Sequence, residues 1–186
     1  MKKLIIFLGS FCLLIVSSCE EGHNITERYI KNNIETHTDG NFSAIKISSI
    51  FAATSLDGAA YIEFTAYNFN NLKGLIIGAD KHYADRHRSN SGMAMLPPAN
   101  FVQLNQDQCK AILDNYKSLL QKLNGDRAKY DETVYEDYTV SKDLYISYSK
   151  GGNGFGNISM SLWVKGEKFT MPTSALVNAL NKFIKY

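Results

Sequence analysis

The chain is poor in cysteine, and its few cysteines are spread so that no two fall in the same folded body. Of the three, Cys12 lies in an apolar leader, Cys19 ends that leader, and Cys109 is alone in the remainder. A disulfide framework or a cysteine-based zinc site needs several thiols in one fold, so both are excluded. Cys109 falls on the apolar side of a predicted helix, which indicates a buried and unreactive thiol.

The body of the chain also lacks a net charge. The full sequence has 20 basic and 18 acidic residues, but two of the basic residues, Lys2 and Lys3, belong to the leader. Without residues 1–18 the basic residues fall to 18 and equal the acidic ones. No broad positive field remains to attract a phosphate backbone, so no nucleic-acid partner is expected.

Catalytic and cofactor motifs are missing as well. The sequence has no Gly-x-Ser-x-Gly elbow and no His-Glu-x-x-His pair. The glycine-rich run Gly151–Asn157 joins two alternating segments instead of opening a helix. It therefore predicts a hairpin loop and not a phosphate-binding loop. We expect no cofactor and a role that is not enzymatic.

The first residues, in contrast, have a clear pattern. Met1-Lys2-Lys3 is a short basic start, and the apolar run Leu4–Val16 follows it. This run is shorter than the roughly 20 apolar residues that a membrane-spanning helix needs, and so it predicts a secretion signal. The run ends in Val16-Ser17-Ser18-Cys19, which resembles the lipobox of bacterial lipoproteins: a branched apolar residue and two small residues before a cysteine.

The lipobox resemblance implies that Cys19 receives a diacylglycerol group and becomes the first residue of the mature protein. Two or three acyl chains, at about 0.8 kcal/mol per buried methylene, would anchor it durably in the bacterial cell envelope. Glu20 stands where the family carries an aspartate for retention in the inner membrane, so the outer membrane is the expected location. The alternative is an ordinary signal peptide cleaved nearby, with Cys19 left as a free thiol.

The mature chain divides into a polar segment and a domain. Residues 19–40 predict a flexible tether with room for one short helix, because they hold too few apolar side chains to bury a face. Residues 41–186 predict a single domain with two parts, about 41–125 and 126–186. Each part shows the alternation typical of antiparallel strands and then apolar residues at helical spacing. Asn105, with Gln108 three residues later, predicts the N-cap of the first helix.

The two parts share their order of elements. A shift of 68 residues places Asn105 on Thr173 and Cys109 on Val177, so that caps and apolar stripes coincide. We predict an α+β fold of two tandem units, each of about four antiparallel strands followed by a helix. An internal duplication and a chance likeness of two strand–helix units both remain open. The order resembles the duplicated folds of the PUR and Whirly families in topology alone, because this neutral chain lacks their basic, nucleic-acid-binding sheet faces.

The segment from residue 79 to 100 is long for a connection in a compact domain and is the first candidate site. Within its polar cluster, Lys81, Arg86, His87 and Arg88 suit an anionic ligand such as a carboxylate or a phosphate. The cluster consists of Lys81, His82, Asp85, Arg86, His87 and Arg88. Its cations oppose a bound metal ion, so no metal site is expected. In an alternative hypothesis, His82, Asp85 and His87 serve an envelope hydrolase as ligands or acid–base groups.

A second candidate surface follows the first helix. Tyrosines alternate there with carboxylates, as is typical of sugar-binding surfaces and equally of a strand with one packed and one wet side. These residues are Tyr130, Asp131, Glu132, Tyr135, Glu136, Asp137 and Tyr138. The single tryptophan, Trp163, lies between Leu162 and Val164 and is expected to anchor the core.

These patterns favour a lipid-anchored envelope protein that contacts the membrane through its lipid, binds a partner protein or a glycan, and catalyses nothing. The first alternative is the envelope hydrolase. The second is an immunity-type inhibitor of a toxin.

Overall fold

The computed structural model describes residues 25–34, 44–55, 59–70, 72–88, 98–125, 133–151 and 158–186. In that part of the chain the first unit runs α1 (Ile25–Asn33), β1 (Lys46–Thr54), β2 (Tyr61–Phe69), β3 (Leu72–Asp80), α2 (Tyr83–Arg88), β4 (Asn100–Leu104) and α3 (Gln106–Gly125). The second unit runs β5 (Thr133–Ser141), β6 (Leu144–Gly151), β7 (Ile158–Val164), β8 (Glu167–Met171) and α4 (Thr173–Lys185). The predicted leader, Cys19 and the glycine-rich loop after β6 lie outside the described residues.

Each unit forms one antiparallel sheet whose neighbouring strands also follow one another in sequence. The first sheet has the order β1-β2-β3-β4 and the second the order β5-β6-β7-β8. α3 follows the first sheet and α4 follows the second. The predicted α+β fold of two tandem units, each of four antiparallel strands and a helix, is therefore confirmed. No helix among the described residues is both long enough and apolar enough to cross a membrane.

One hydrophobic core joins the two units. Inward-facing residues of both sheets and of α3 and α4 belong to the same buried cluster. α3 packs on β3 and β5, and α4 packs on β1 and β7, so each helix contacts both sheets. Fully buried members of the core include Phe64, Ile77, Leu104, Leu162 and Leu180.

The starts of the two long helices differ. At α3 the N–H of Gln108 donates to Asn105 Oδ1 at 2.8 Å, and the N–H of Asn105 donates to Gln108 Oε1 at 2.9 Å. This reciprocal pair confirms the predicted cap. At α4 the N-cap is Pro172, with no side-chain hydrogen bond. Thr173 is the first helical residue, and its buried hydroxyl has no partner in the described part of the chain, so the predicted likeness of Asn105 and Thr173 is wrong.

The buried stripes of α3 and α4 coincide at a shift of 67 residues, one fewer than predicted. This shift places buried Cys109 on buried Leu176, whereas the predicted equivalent, Val177, is only half-buried. The same shift matches Ile112 with Ala179 and Leu113 with Leu180. Burial, and not the cap residue, fixes the correspondence of the two helices.

α1 covers the side of the first sheet that faces away from the core. Ile30 is fully buried there, in a small separate cluster with Tyr67, Phe69 and Ile76. The segment predicted as a flexible tether, residues 19–40, thus contains a helix that packs on the domain. Its flanking residues 19–24 and 35–40 lie outside the described part.

Close approach of α1 to the sheet depends on a glycine. A Cβ at Gly78 would lie 2.6 Å from the methyl group of Thr26 and 3.1 Å from the ring of Phe101. Tyr29 stacks on that same ring, with centroids 4.3 Å apart. The absence of a side chain at position 78 therefore lets the helix settle on the strands.

Candidate ligand-binding surface

The second sheet has an outward side that no described helix covers. We call this side the hydroxyl face, because small hydroxyl side chains dominate it. Its members are Tyr135, Asp137, Thr139, Tyr145, Ser147, Ser149, Ser159, Ser161, Trp163 and Thr170, with Lys168 at its margin. The inward residues between them, such as Ile146 and Leu162, belong to the core. Strand alternation alone therefore separates the face from the core.

The strand register arranges the hydroxyl face in three rows across the sheet. The first row is Thr139, Tyr145, Trp163 and Lys168. The second row is Asp137, Ser147, Ser161 and Thr170. The third row is Tyr135, Ser149 and Ser159.

Aromatic side chains stand in the first row. The rings of Tyr145 and Trp163 stack with centroids 5.1 Å apart and planes 15° from parallel. The ammonium of Lys168 lies 5.9 Å from the Trp163 ring centroid, from the neighbouring strand on the other side. On its other side Tyr145 is paired with Thr139 of β5, which has a small side chain. Trp163 lies outside the core, so the prediction that it anchors the core is wrong.

The middle of the hydroxyl face is low and polar. Ser149 and Ser159 place their Oγ atoms 2.8 Å apart, and Ser161 Oγ lies 3.5 Å from Thr170 Oγ1. A hydroxyl has one donor and two acceptor positions, so each pair keeps free capacity for a ligand. The face combines this capacity with a carboxylate at Asp137, which is exposed.

Tyr135 closes the other end of the face and is 69 % exposed. It lies four residues before Thr139, the residue opposite Tyr145. At about 3.4 Å per residue, the two tyrosines are about 14 Å apart along the strands. Between them lie Asp137 and Ser147, and Ser149 lies beside Tyr135. We call this polar stretch, with an aromatic residue at each end, the trough.

Asp137 is the charged residue in the middle row of the trough. Partial burial, and then the negative charge of Asp137, raise the pKa of the Tyr145 hydroxyl. Like any tyrosine hydroxyl at neutral pH, the phenol is protonated and can donate a hydrogen bond to a ligand, and the carboxylate can accept one.

Two of the seven predicted sugar-binding residues lie on the hydroxyl face, namely Tyr135 and Asp137. Glu136 points to the opposite side of β5 and forms an ion pair with Lys122 of α3, and Tyr138 packs against the core. Tyr130, Asp131 and Glu132 lie outside the described residues. Sequence reasoning missed Tyr145, Trp163 and the serines. The alternation of Ser159 and Ser161 was the available signal, because it places Trp163 on the same side as the serines.

The segment from residue 79 to 100 does not form one long loop, since β3 continues to Asp80 and α2 follows. His82 Nδ1 lies 3.9 Å from Asp85 Oδ2, and the His82 N–H donates to Asp80 Oδ1 at 2.9 Å. Lys81 and Asp85 are exposed. The side chains of Arg86, His87 and Arg88 lie outside the described part of the chain, as do residues 89–97. The structure thus brings together His82 and Asp85 of the predicted cluster.

No metal centre is built from this segment in the part of the molecule that the structure describes. Groups of three or more His, Cys, Asp or Glu side chains that could hold an ion are absent there. Tyr83 of α2 instead stacks on Tyr61, with ring centroids 4.8 Å apart. α2 is therefore fastened to the first sheet by aromatic packing.

A buried carboxylate lies beneath α1, on the side of the first sheet that corresponds to the hydroxyl face. Glu63 is 1 % exposed and lines a cavity of about 120 Å³. Its Oε1 accepts a hydrogen bond from Thr65 at 3.2 Å, while Oε2 has no partner among the described residues. Burial raises the pKa of Glu63, and hydrogen bonding at Thr26, Thr65 and the start of α1 opposes that rise.

The chain matches no protein-family model and no curated protein sequence. The function proposed for it therefore rests on its own residues and their geometry.

Proposed function

We propose that the protein is a lipid-anchored, non-enzymatic protein of the bacterial cell envelope that binds a glycan through the hydroxyl face. One observation carries the proposal: a sheet side that no described helix covers holds polar residues between two aromatic residues, Tyr135 and Tyr145. The anchor is Cys19, at the end of the lipobox-like sequence. We place the protein at the outer membrane, because Glu20 follows the cysteine.

The chemistry of the face suits a sugar. A pyranose ring presents apolar C–H groups on its faces and hydroxyl groups around its rim. The half-buried ring of Tyr145 and the exposed ring of Tyr135 supply aromatic surface for the C–H groups. Asp137 and the serines supply acceptors and donors for the hydroxyls. Both kinds of contact are available to one ligand in the same trough.

The serines of the hydroxyl face also favour a glycan over a protein partner. Protein interfaces are depleted of serine and have apolar centres. Here the centre of the face is Ser147, Ser149, Ser159 and Ser161, and the aromatic residues stand at the ends. A ligand rich in hydroxyl groups matches that order, and an apolar protein patch does not.

The corresponding side of the first sheet is closed. Tyr61, Glu63 and Thr65 of β2 correspond to Tyr145, Ser147 and Ser149 of β6, but they are buried: Glu63 and Thr65 lie beneath α1, and Tyr61 packs against Tyr83 of α2. The first unit therefore uses this side of its sheet for packing, whereas the second unit has the same side available for a ligand. The hydrolase alternative gains only the contact of His82 with Asp85, and no feature of the described residues favours a toxin inhibitor.

Trp163 provides a direct assay, since it is the single tryptophan and stacks on Tyr145. The lipidated protein would be held in a zwitterionic detergent without a sugar headgroup and titrated with soluble oligosaccharides, including disaccharide fragments of peptidoglycan. We expect a saturable change in tryptophan emission with at least one of them. Chromatography of the sugar afterwards should return it uncleaved, whereas new reducing ends would indicate the hydrolase.

Matched variants assign the binding to the face. Tyr145→Ala removes one aromatic end of the trough and Ser147→Leu places a larger apolar group within it, so each should weaken binding at least about tenfold, or 1.4 kcal/mol. Leu72→Ala and Ser174→Leu make similar changes of size at exposed positions elsewhere and should leave binding unchanged. No response to any oligosaccharide, or equal binding by all four variants, would refute the proposal.

A further inference from the structure

An apolar groove lies where the free edges of the two sheets approach each other. β1 ends the first sheet and β8 ends the second, and each pairs with one strand only in the described part of the chain. The cavity between them has a volume of about 470 Å³. Its apolar walls include Phe51 and Ile62 of the first sheet and Phe169 and Met171 of β8. We call this cavity the edge groove.

The free edge of β8 offers backbone hydrogen-bonding groups to the edge groove. The two-residue turn Lys165–Gly166 joins β7 to β8, with φ values of +49° and +83° as in a type I′ hairpin. The flanking residues Val164 and Glu167 then form a hydrogen-bonded pair, and such pairs recur at every second residue. The N–H and C=O groups of Lys168 and Thr170 therefore point to the free edge, and both residues line the groove.

β1 is a poorer template on the opposite wall. Its pairing with β2 is interrupted by a bulge between Ser49 and Phe51, and a bulge disturbs the regular edge that an added strand needs. α4 also packs on β1. β8 pairs without interruption along its five residues, Glu167–Met171, which extend about 17 Å.

The charge of the groove residues indicates what kind of ligand the edge groove binds. Among the described residues that line the edge groove, Lys168 alone is charged. Its ammonium lies beside the Trp163 ring and has no ion pair with a described carboxylate. An acidic side chain on a strand added to β8 would lie next to it, within the distance at which opposite charges on neighbouring strands attract.

We infer that the edge groove binds an extended acidic and apolar peptide segment of a partner protein, which adds to β8 as a fifth strand of the second sheet. Backbone groups of Lys168 and Thr170 supply the hydrogen bonds, as in other cases of strand addition. Alternate side chains of the peptide enter the apolar groove beside Phe169 and Met171. The residue beside Lys168 is aspartate or glutamate. This site meets the hydroxyl face at Lys168 and Thr170, but peptide binding does not depend on glycan binding.

A blocked five-residue peptide tests the inference. The probe is fluorescein-labelled Val-Asp-Val-Thr-Val-amide, whose valines would face the groove and whose aspartate would reach Lys168. Binding to the lipidated protein in zwitterionic micelles is followed by fluorescence anisotropy at low salt, with protein-free micelles as the blank. We expect saturable binding of this probe and at least tenfold weaker binding of the same peptide with lysine for aspartate.

Variants of β8 separate the backbone from the charge. Thr170→Pro removes an N–H that points to the free edge, where proline is tolerated, and should abolish binding without lowering the unfolding temperature. Thr170→Val keeps that N–H and should bind as the wild type does. Lys168→Glu should exchange the preference, so that the lysine peptide binds better than the aspartate peptide. This exchange decides the matter even if Thr170→Pro fails to fold.

Several outcomes would overturn the inference. One is equal binding of the aspartate peptide by the wild type, Lys168→Glu and a folded Thr170→Pro. Another is light scattering that shows a wild-type dimer and a monomeric Thr170→Pro, since the occupant would then be a second copy. A third is that decanoate displaces the probe from the wild type and from Thr170→Pro alike. The groove would then bind an aliphatic ligand without the edge of β8. Tyr145→Ala should leave peptide binding unchanged, and a loss there would merge this site with the hydroxyl face.

Discussion

Replacing Ile30 by alanine should release α1 from the first sheet and leave the rest of the fold intact. Ile30 is fully buried, and its neighbours Tyr67, Phe69 and Ile76 form a cluster apart from the main core. The side chain is the centre of the contact between α1 and β2–β3. Its loss therefore acts on the docking of one helix.

The magnitude follows from the size of the removed group. A buried isoleucine replaced by alanine costs about 2–5 kcal/mol. α1 has nine residues, and an isolated helix of that length is unstable in water, so docking supplies its stability. At 1.36 kcal/mol for each factor of ten, even the lower value raises the undocked population about 30-fold.

Hydrogen exchange measures this population segment by segment. The Ile34 N–H donates to the Ile30 carbonyl oxygen at 3.0 Å, and such amides exchange only when the helix opens. In Ile30→Ala the amides of residues 25–34 should exchange at least about 30-fold faster, while those of β6 and β7 keep their rates. Asn32→Ala, at an exposed position of the same helix, is the matched control and should change little.

A different pattern would refute this account. If exchange in α1 stays unchanged, or if all strands lose protection together with α1, then α1 is not a separately docked element. The cluster around Ile30 would in that case be part of the cooperative core.

Other features lead to further tests. Burial raises the pKa of Glu63 above its ordinary 4.5, so wild-type docking of α1 should be strongest below about pH 4.5 and weaken as the pH rises through the raised pKa. Hydrogen exchange of the α1 amides, corrected for the intrinsic effect of pH on exchange, should show this trend in the wild type and not in Glu63→Gln. If the trend persists in Glu63→Gln, another group causes it. Asn105→Ala removes a capping box and should cost about 1 kcal/mol, a fall of about 2–4 °C in Tm. Thr173→Ala should keep or raise Tm, because the lost hydroxyl is buried with no partner among the described residues. Equal losses of Tm in Asn105→Ala and Thr173→Ala would contradict the difference between the helix starts. Burial raises the pKa of Cys109 to about 12. An aromatic disulfide should therefore react with this thiol at least about 100-fold faster in urea than in the native protein. A fast reaction in the native protein would show that the thiol of Cys109 is accessible.

The strands and long helices were predictable because their signals are local. Segments Leu144–Lys150 and Ile158–Lys165 alternate strictly enough to predict strands, and the structure has them at Leu144–Gly151 and Ile158–Val164. The N-cap at Asn105 was equally local, since both of its hydrogen bonds fall within four residues. Such features depend on neighbours in sequence and need no knowledge of the fold.

The packing of α1 was not predictable in the same way. Its segment is polar, and the buried face depends on Ile30 together with aromatic neighbours such as Phe69 and Phe101, which lie far along the chain. A short helix with few apolar residues gives no periodic signal that separates it from a tether. Only the sheet that receives it, with a glycine at position 78, shows that it docks.

Some residues of the candidate site also had a local signal in the sequence, and others did not. Tyr135 and Asp137 were found because tyrosine beside carboxylate is a visible pattern. The serines of β6 and β7 were not, because small hydroxyl residues are common on any solvated strand and become a surface only when the register aligns them. α2, with six residues, was likewise too short for its helical period to be recognised in the segment from 79 to 100.

If Cys19 carries a lipid, as proposed, the docking of α1 also limits how far the domain can move from the membrane. A free tether up to residue 40 would let the domain move about 70 Å from a lipid on Cys19, at about 3.4 Å per residue. With α1 packed from Ile25 onwards, only six steps of chain remain, a reach of about 20 Å. The hydroxyl face and the edge groove would then search a thin layer beside the membrane. Ligands in that layer would meet the protein at a high local concentration, and more distant ones would stay out of range.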